Sequence, residues 1–352
     1  MIKNLFTIMS KSGVQHQAGY MASLSRISQK RVTSMTKQTN EVSLDSFNAH
    51  REKRFFTRIR IYLLEMHPPR NLAFSLIFFM SAWNGIALLC SAANEEIILP
   101  KAIFVSGAIT IVLMLLLLRI MDELKDLEAD RKHFPARPVP RGDVYPSDLR
   151  FLGLFIIGIL LSLNLFFTRS VPLFLIVFGY ACLMYKYFFL KALISQNILL
   201  ALATHNPISY FLFLYVASLY RNNAHVHIRF DQLILLGLVF LFFSMSWEIA
   251  RKIRHPEDET TYQTYSMVIG TKAALLIPVV LCAAALIVIF RLYGGVFSNF
   301  SFMVMLLVFL FMVLTFFRFY RRRMNFLDLK SITEIYIITI QSVLVIEGFF
   351  KL

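Results

Sequence analysis

The sequence is poor in charge: only 16% of its 352 residues are Asp, Glu, Lys or Arg, while 57% are hydrophobic and the mean hydropathy is +0.64. A water-soluble domain carries roughly 25% charged residues, and the shortfall excludes that class. Cysteine is scarce as well. Cys90, Cys182 and Cys282 each lie inside an apolar block with no second cysteine nearby, which excludes a disulfide framework or a zinc ribbon. They read as small apolar residues in helices. Acidic residues are missing from Met1 to Asn40, where Lys3, Lys11, Arg26, Lys30, Arg31 and Lys37 stand among Ser, Thr and Gln. Such a stretch buries too little apolar surface to fold alone. Residues 1–50 are therefore expected to be a basic, disordered tail. A solvated cytoplasmic segment, a transit-peptide-like leader and an overlong start ahead of Met21 or Met35 all fit that composition.

The apolar residues come in long blocks, at about 71–93, 101–121, 150–167, 171–189, 192–219, 232–250, 271–291, 301–318 and 331–350. A bilayer-spanning helix needs about 20 apolar residues, and only helices or closed barrels satisfy their backbone polar groups in lipid. The expected fold is all-α: a multi-pass bundle of nine transmembrane helices over residues 51–352. Its first segment, 51–70, mixes Arg with Phe, Ile, Leu and Tyr as an interfacial amphipathic helix does. Pro68 and Pro69 should end it. His205-Asn206-Pro207 marks a break within the fifth span.

The formal net charge is +15, yet the cations sit between apolar blocks rather than in a basic domain, so nucleic-acid binding is not expected. With the N-terminus inside, the inner loops hold Arg131, Lys132, Arg137, Arg141, Lys186, Lys191, Arg251, Lys252, Arg254 and Arg321 to Arg323. The outer loops hold only Lys101, Arg169, Arg221, Arg229 and Arg291. This bias places the N-terminus inside and the C-terminus outside. Arg321 to Arg323 read as topology signals that touch anionic lipid. His225 and His227, in an outer loop, read as solvated rather than metal-binding.

The stretch RIMDELKDLEADRKHFPARPVPRG, 119–142, carries the densest chemistry. On a continuous helix, with about 100° per residue, Asp126 falls about 40° from Asp122, Asp130 about 80° and Glu123 about 100°. Lys125 and Glu128 are expected to point away. Four carboxylates on one stripe repel one another, the more so at a membrane boundary, and a divalent cation offsets that. Oxygen-only ligands with open positions suit Mg²⁺, which completes its shell with water and phosphates. The plainer alternative is a solvated helix end, which explains the acids but not their confinement to one face. Downstream, prolines stiffen a loop from which Arg137 and Arg141 are expected to project, guanidiniums being good partners for phosphate.

A second polar focus, SWEIARKIRHPEDETTYQTYS at 246–266, follows the sixth block. Glu248, Arg251, Lys252 and His255 fall on one face, within about 60° of Glu248. Pro256 stops the helix, and Glu257, Asp258 and Glu259 follow. This focus suits a diphosphate, a second metal, or both. A third piece, Tyr187 and Lys191, is spaced four apart on an expected helix. All three fall on the inner side by the charge count, as the parts of one site would. Arg70 and Asn84 in the first span are further candidates, with ordinary interhelical hydrogen bonding as the alternative.

These motifs resemble those of the UbiA superfamily of intramembrane prenyltransferases. Its first signature is matched by Asp122-Glu123-x-x-Asp126-x-x-x-Asp130, then Arg137-Pro138 and Pro140-Arg141-Gly142; its Tyr-x-x-x-Lys element is matched by Tyr187 and Lys191. Its second signature, Asp-x-x-Asp-x-x-x-Asp, is replaced here by Glu248, Arg251 and His255. Either Glu257, Asp258 and Glu259 supply metal ligands from beyond Pro256, or Arg251 stands in for a metal as a fixed cation.

The resemblance implies a nine-helix fold and Mg²⁺ held by Asp122, Asp126 and Asp130, with Glu123, Glu248, Glu257 and Asp258 as further candidate ligands. It implies an isoprenoid diphosphate gripped there. Arg70, Asn84, Arg137, Arg141, Tyr187, Lys191, Arg251 and Lys252 are then expected around the leaving group. The expected activity is transfer of a polyprenyl group to a hydrophobic aromatic or lipid acceptor within the bilayer. A terpene cyclase on the same fold is the alternative. A transporter or scaffold is disfavoured, because charges are almost absent at mid-depth and a transporter binds its cargo there.

Overall fold

Every regular element among the described residues is helical, as a backbone in hydrocarbon requires. The computed structural model describes residues 54–92, 100–224, 228–321 and 326–351. The tail over 1–50, the His225/His227 pair, and Arg322 and Arg323 lie outside the described residues. By its contacts the chain divides into Met1–Ile59 and Arg60–Leu352. In the first unit, the Phe55 and Phe56 rings meet edge to face at 5.4 Å.

Helix α1 (Phe55–Met66) covers most of the expected amphipathic segment. It stops at Met66, just before the two prolines. Pro69 then opens α2 (Pro69–Ala92), a position where the missing proline N–H costs nothing. The bundle continues with α3 (Lys101–Lys125), α4 (Leu127–His133), α5 (Pro146–Phe167), α6 (Val171–Tyr185), α7 (Ile198–His205) and α8 (Pro207–Ala224). It ends with α9 (Phe230–Ala250), α10 (Thr271–Tyr293), α11 (Asn299–Tyr320) and α12 (Phe326–Lys351). Among the described residues, eight helical stretches are long and apolar enough to cross a membrane: α2, α3, α5, the α7–α8 pair, α9, α10, α11 and α12. The ninth expected span, α6, has 15 residues, about 22 Å of helix. It stops at Tyr185, four residues short of the apolar block, because Tyr187, Phe188 and Phe189 take φ of 50°, 52° and 61°. The expected break in the fifth span is present: α7 ends at His205 and Pro207 starts α8. The Asn197 side chain caps α7 by accepting the Leu199 and Leu200 N–H groups at 3.0 Å.

Neighbouring helices pack as α2 on α3, α3 on α5, α6 on α8, α8 on α9, α9 on α10, α10 on α11 and α11 on α12; α12 returns to α2. Outward positions keep large apolar side chains, such as Phe151, Leu154 and Phe155 on α5 and Leu307, Leu310 and Phe311 on α11. An apolar exterior of that extent belongs in lipid. Inside, polar side chains join helices where no water competes. Asn164 donates to the Thr110 hydroxyl at 3.1 Å and accepts from the Tyr215 hydroxyl at 2.7 Å, tying α5 to α3 and α8.

Candidate active site

The carboxylates of the first motif do not sit on one continuous helix. α3 ends at Lys125, Asp126 leaves the helical region (φ −100°, ψ 10°), and α4 restarts at Leu127. Each acid has found a partner. Glu123 accepts from Arg119 at 2.6 Å, Asp130 from Arg137 at 2.6 Å, and Asp126 from the Tyr187 hydroxyl. Asp122 meets Lys125 at 2.7 Å, so the expectation that Lys125 points away is wrong. Residues three apart are neighbours on a helix surface, and a lysine side chain spans the remaining angle. Asp122 stays 46% exposed, whereas Asp130 is at 8%.

Tyr187 reaches Asp126 from a turn of three consecutive non-glycine residues in the left-handed region. L side chains there cost about 1–2 kcal/mol each, and such strain gathers at functional sites. The turn overturns the helical spacing expected of Tyr187 and Lys191. Lys191 begins a separate short helix, Lys191–Ile194, and is exposed. The Lys125 ammonium stands 5.1 Å from the Tyr187 ring centre. Burial raises the Asp126 carboxyl above the usual range, against the lowering pull of Lys125 and the Tyr187 hydroxyl. Burial, reinforced by the bond to Asp126, likewise raises the Tyr187 phenol.

The two loop arginines do not project freely. Arg137 pairs with Asp130 and lies 4.1 Å from the Phe134 ring centre. Arg141 forks onto Glu65 of α1 at 2.6 and 2.9 Å, meets Asp143 at 2.5 Å, and donates to the Ala136 carbonyl at 2.8 Å. Arg141 therefore clasps the proline loop to α1 instead of presenting a guanidinium to a ligand.

At the second motif, α9 ends at Ala250 and its carboxylate is occupied. Glu248 Oε2 accepts from Arg251 Nε at 2.7 Å and lies 2.6 Å from its Nη2; Oε1 lies 2.8 Å from Lys252 Nζ. His255 leaves the expected shared face: its ring stacks on Phe319 at 3.9 Å and 9°. Glu257 and Asp258 are exposed on the single turn Pro256–Asp258. Glu259 is taken up by the Thr264 and Ser266 hydroxyls at 2.6–2.8 Å.

The two motifs meet through Tyr262. Its ring lies 5.7 Å from His133 and 5.5 Å from Phe134, both at the end of the first motif, while Lys252 Nζ stands 5.6 Å over it. His205, read in the sequence only as part of a helix break, is a third junction. Its ring lies 6.2 Å from Tyr187, and the charges of Lys125, Asp122 and Glu248 all act on it. The signal that marks it is a histidine at a proline break inside an apolar span.

Arg70 is exposed in the first turn of α2. Asn84 is not brought to the carboxylates. It lies about 22 Å along α2 from Pro69, donates to the Met80 carbonyl at 2.8 Å, and packs on Gly348 of α12 so closely that a Cβ there would collide. Its hydrogen bond stays within α2, and its contact with α12 is one of packing.

Among the described residues, no three His, Cys, Asp or Glu side chains form a ready-made metal cluster. Mg²⁺ does not require one, since it takes one or two carboxylates and fills its shell with water and phosphate. The first motif fits that demand. Asp122 is half exposed, the charges of Asp122 and Asp130 both act on Asp126, and Glu123 Oε1 is buried with no partner. The second motif does not fit, because both oxygens of its carboxylate are engaged by cations.

A bundle of lipid-facing helices, with eight stretches among the described residues long and apolar enough to cross a membrane, defines an integral, multi-pass membrane protein. The model of the UbiA prenyltransferase family matches residues 77–335. The chain belongs to that family, and so to the intramembrane proteins of prenyl-transfer chemistry. Two solved structures share the fold. One, from work on the biosynthesis of digeranylgeranylglyceryl phosphate synthase in membranes, is 14% identical with a TM-score of 0.56, covering 83% of this chain and 99% of that one. The other, a UbiA homologue from Aeropyrum pernix K1 in its apo form, is 13% identical with a TM-score of 0.60, covering 79% and 98%. No curated protein sequence matches the chain.

Proposed function

We propose that this protein transfers a polyprenyl group from an isoprenoid diphosphate to a hydrophobic aromatic or lipid acceptor, dependent on Mg²⁺. Its site faces the cytoplasmic side, with the N-terminus inside and the C-terminus outside. The observation that carries the proposal is the meeting of the two polar loops through Tyr262, whose ring lies against His133 and Phe134 at the end of the first motif and under Lys252 of the second.

Asp122 and Asp126, with Asp130 and Glu123 beside them, are the residues that would hold Mg²⁺. When bound, the ion supplies charge neutralisation to the departing diphosphate. Lys125 and Arg137 stand against the same acids and would be the cations nearest to a diphosphate held there. Fixed cations in a water-poor site stabilise charge that develops there. Tyr187 holds Asp126 in position through its hydroxyl. Beneath it, Tyr180 meets Phe188 at 5.4 Å and Phe211 at 4.7 Å, and Phe188 lies 6.2 Å from His205. Such faces stabilise an allylic cation by cation–π attraction.

The test incubates membranes carrying the protein with labelled geranylgeranyl diphosphate and Mg²⁺, with and without hydroxybenzoate or naphthoate acceptors. Prenylated product formed only with an acceptor is the expected outcome. Cyclic hydrocarbon formed without one replaces transfer by cyclisation. Absence of diphosphate release under every condition, with farnesyl diphosphate tried as well, removes the catalytic assignment.

A further inference from the structure

We propose that the second motif is a metal-free anion subsite: Arg251, Lys252 and Tyr265 bind the substrate diphosphate directly, and Mg²⁺ enters only at the first motif. The proposal rests on the diphosphate substrate put forward above and concerns the other half of its site.

Glu248 is the one acid among the three positions where the family carries aspartates, and its side chain is 16% exposed. Arg251 engages one of its oxygens and Lys252 the other, at 2.6–2.8 Å. The trio therefore carries one net positive charge. A divalent cation would have to displace both partners and then sit beside them, and like charges at such separations repel strongly where water is scarce. An anion meets the reverse situation. Arginine has five N–H bonds and lysine three, so about five remain after Glu248 is served. Glu248 then acts as a positioning residue that aims both side chains.

A second observation points independently to a ligand. The Tyr265 hydroxyl is buried, its residue 1% exposed, and it has no hydrogen-bond partner. Tyr265 is fixed at this spot because its backbone N–H donates to the Lys252 carbonyl at 3.1 Å, and the charges of Glu248 and Arg251 act on its hydroxyl. A buried hydroxyl left unpaired is costly, and a phosphate oxygen would satisfy it. Tyr262 under Lys252 puts this subsite against the end of the first motif.

The test uses the full-length protein in detergent. Calorimetric titration with inorganic diphosphate in EDTA should show binding by the wild type. Arg251→Gln should weaken it roughly tenfold, the scale of one lost charge-assisted hydrogen bond. Tyr265→Phe should weaken it less. If Arg251→Gln is not monodisperse, Lys252→Gln takes its place. In parallel, Mn²⁺ is counted by electron paramagnetic resonance with diphosphate present. Glu248→Gln should leave the number of bound ions unchanged. Wild-type binding that vanishes in EDTA, wild-type affinity in the Arg251 and Lys252 variants, or loss of an ion in Glu248→Gln each overturns the proposal. The two proposals fail separately. Metal-free binding through Arg251 without turnover of any prenyl diphosphate sinks only the catalytic one. Turnover with metal-free binding absent sinks only this one.

Discussion

The two polar loops at the end of the bundle look alike in sequence, each a helix end followed by charge and proline, yet they differ in balance. In the first, each of the four carboxylates Asp122, Glu123, Asp126 and Asp130 has a partner of its own, three of them cations and one a tyrosine, and Asp122 remains open to exchange its lysine for another cation. In the second, one carboxylate is shared by two cations and is closed to metal. On the two proposals above, one loop grips diphosphate through an ion and the other grips it directly, with Arg251 and His255 standing where the family carries aspartates. What persists is the position of charge at a helix end, more than the identity of the acid.

The sharpest way to break this contrast is at Asp126. Asp126→Asn is expected to reduce prenyl diphosphate turnover by about a thousandfold, the upper scale for removing one well-placed electrostatic group. Release of inorganic diphosphate measures it, and wild-type release would remove Asp126 from the site. Arg137→Gln comes next. It leaves Asp130 buried without its cation, at a cost of about 2 kcal/mol, and should lower the unfolding temperature in detergent; an unchanged temperature means the pair contributes nothing.

Tyr187→Phe is expected to cost about tenfold in turnover and to move the pH profile. The hydroxyl lowers the Asp126 carboxyl, whose net displacement by burial is upward. Without the hydroxyl the carboxyl rises further, so the acid limb of activity must shift to higher pH. A limb that stays put separates Tyr187 from Asp126. The smallest effect is predicted for Glu257→Gln with Asp258→Asn. Both side chains are exposed beyond Pro256, and turnover should stay within about twofold. A large loss would return metal binding to the second loop.

Much of the fold was legible because lipid imposes a simple rule: blocks of apolar residues of spanning length must be helices. The break at His205-Asn206-Pro207 was legible for the same kind of local reason, whereas the stripe of carboxylates expected over 122–130 is interrupted at Asp126. The failures share a cause, which is that partners far apart in sequence decide where a side chain goes. Nothing around Arg141 announces that Glu65, 76 residues away, will hold it. His255 was assigned to a face by spacing, but the helix ends at Ala250 and Phe319 captures the ring. Three left-handed residues at Tyr187–Phe189 carry no glycine to advertise them, so a helical spacing was read across a reversal. Asn84 failed differently. Its depth along α2 could be counted from Pro69, and the count places it toward the end away from Asp122.

That reversal at Tyr187–Phe189 has an evolutionary consequence. Its backbone is held in a conformation that a glycine would occupy at ease, so substitution by glycine of Phe189, which is 78% exposed and has little packing to lose, offers a route to a more heat-resistant protein. The same change would slacken the tether on Tyr187. Laboratory selection for thermal endurance alone should therefore find this spot early and give up turnover in exchange, whereas selection for product should leave the awkward bend in place.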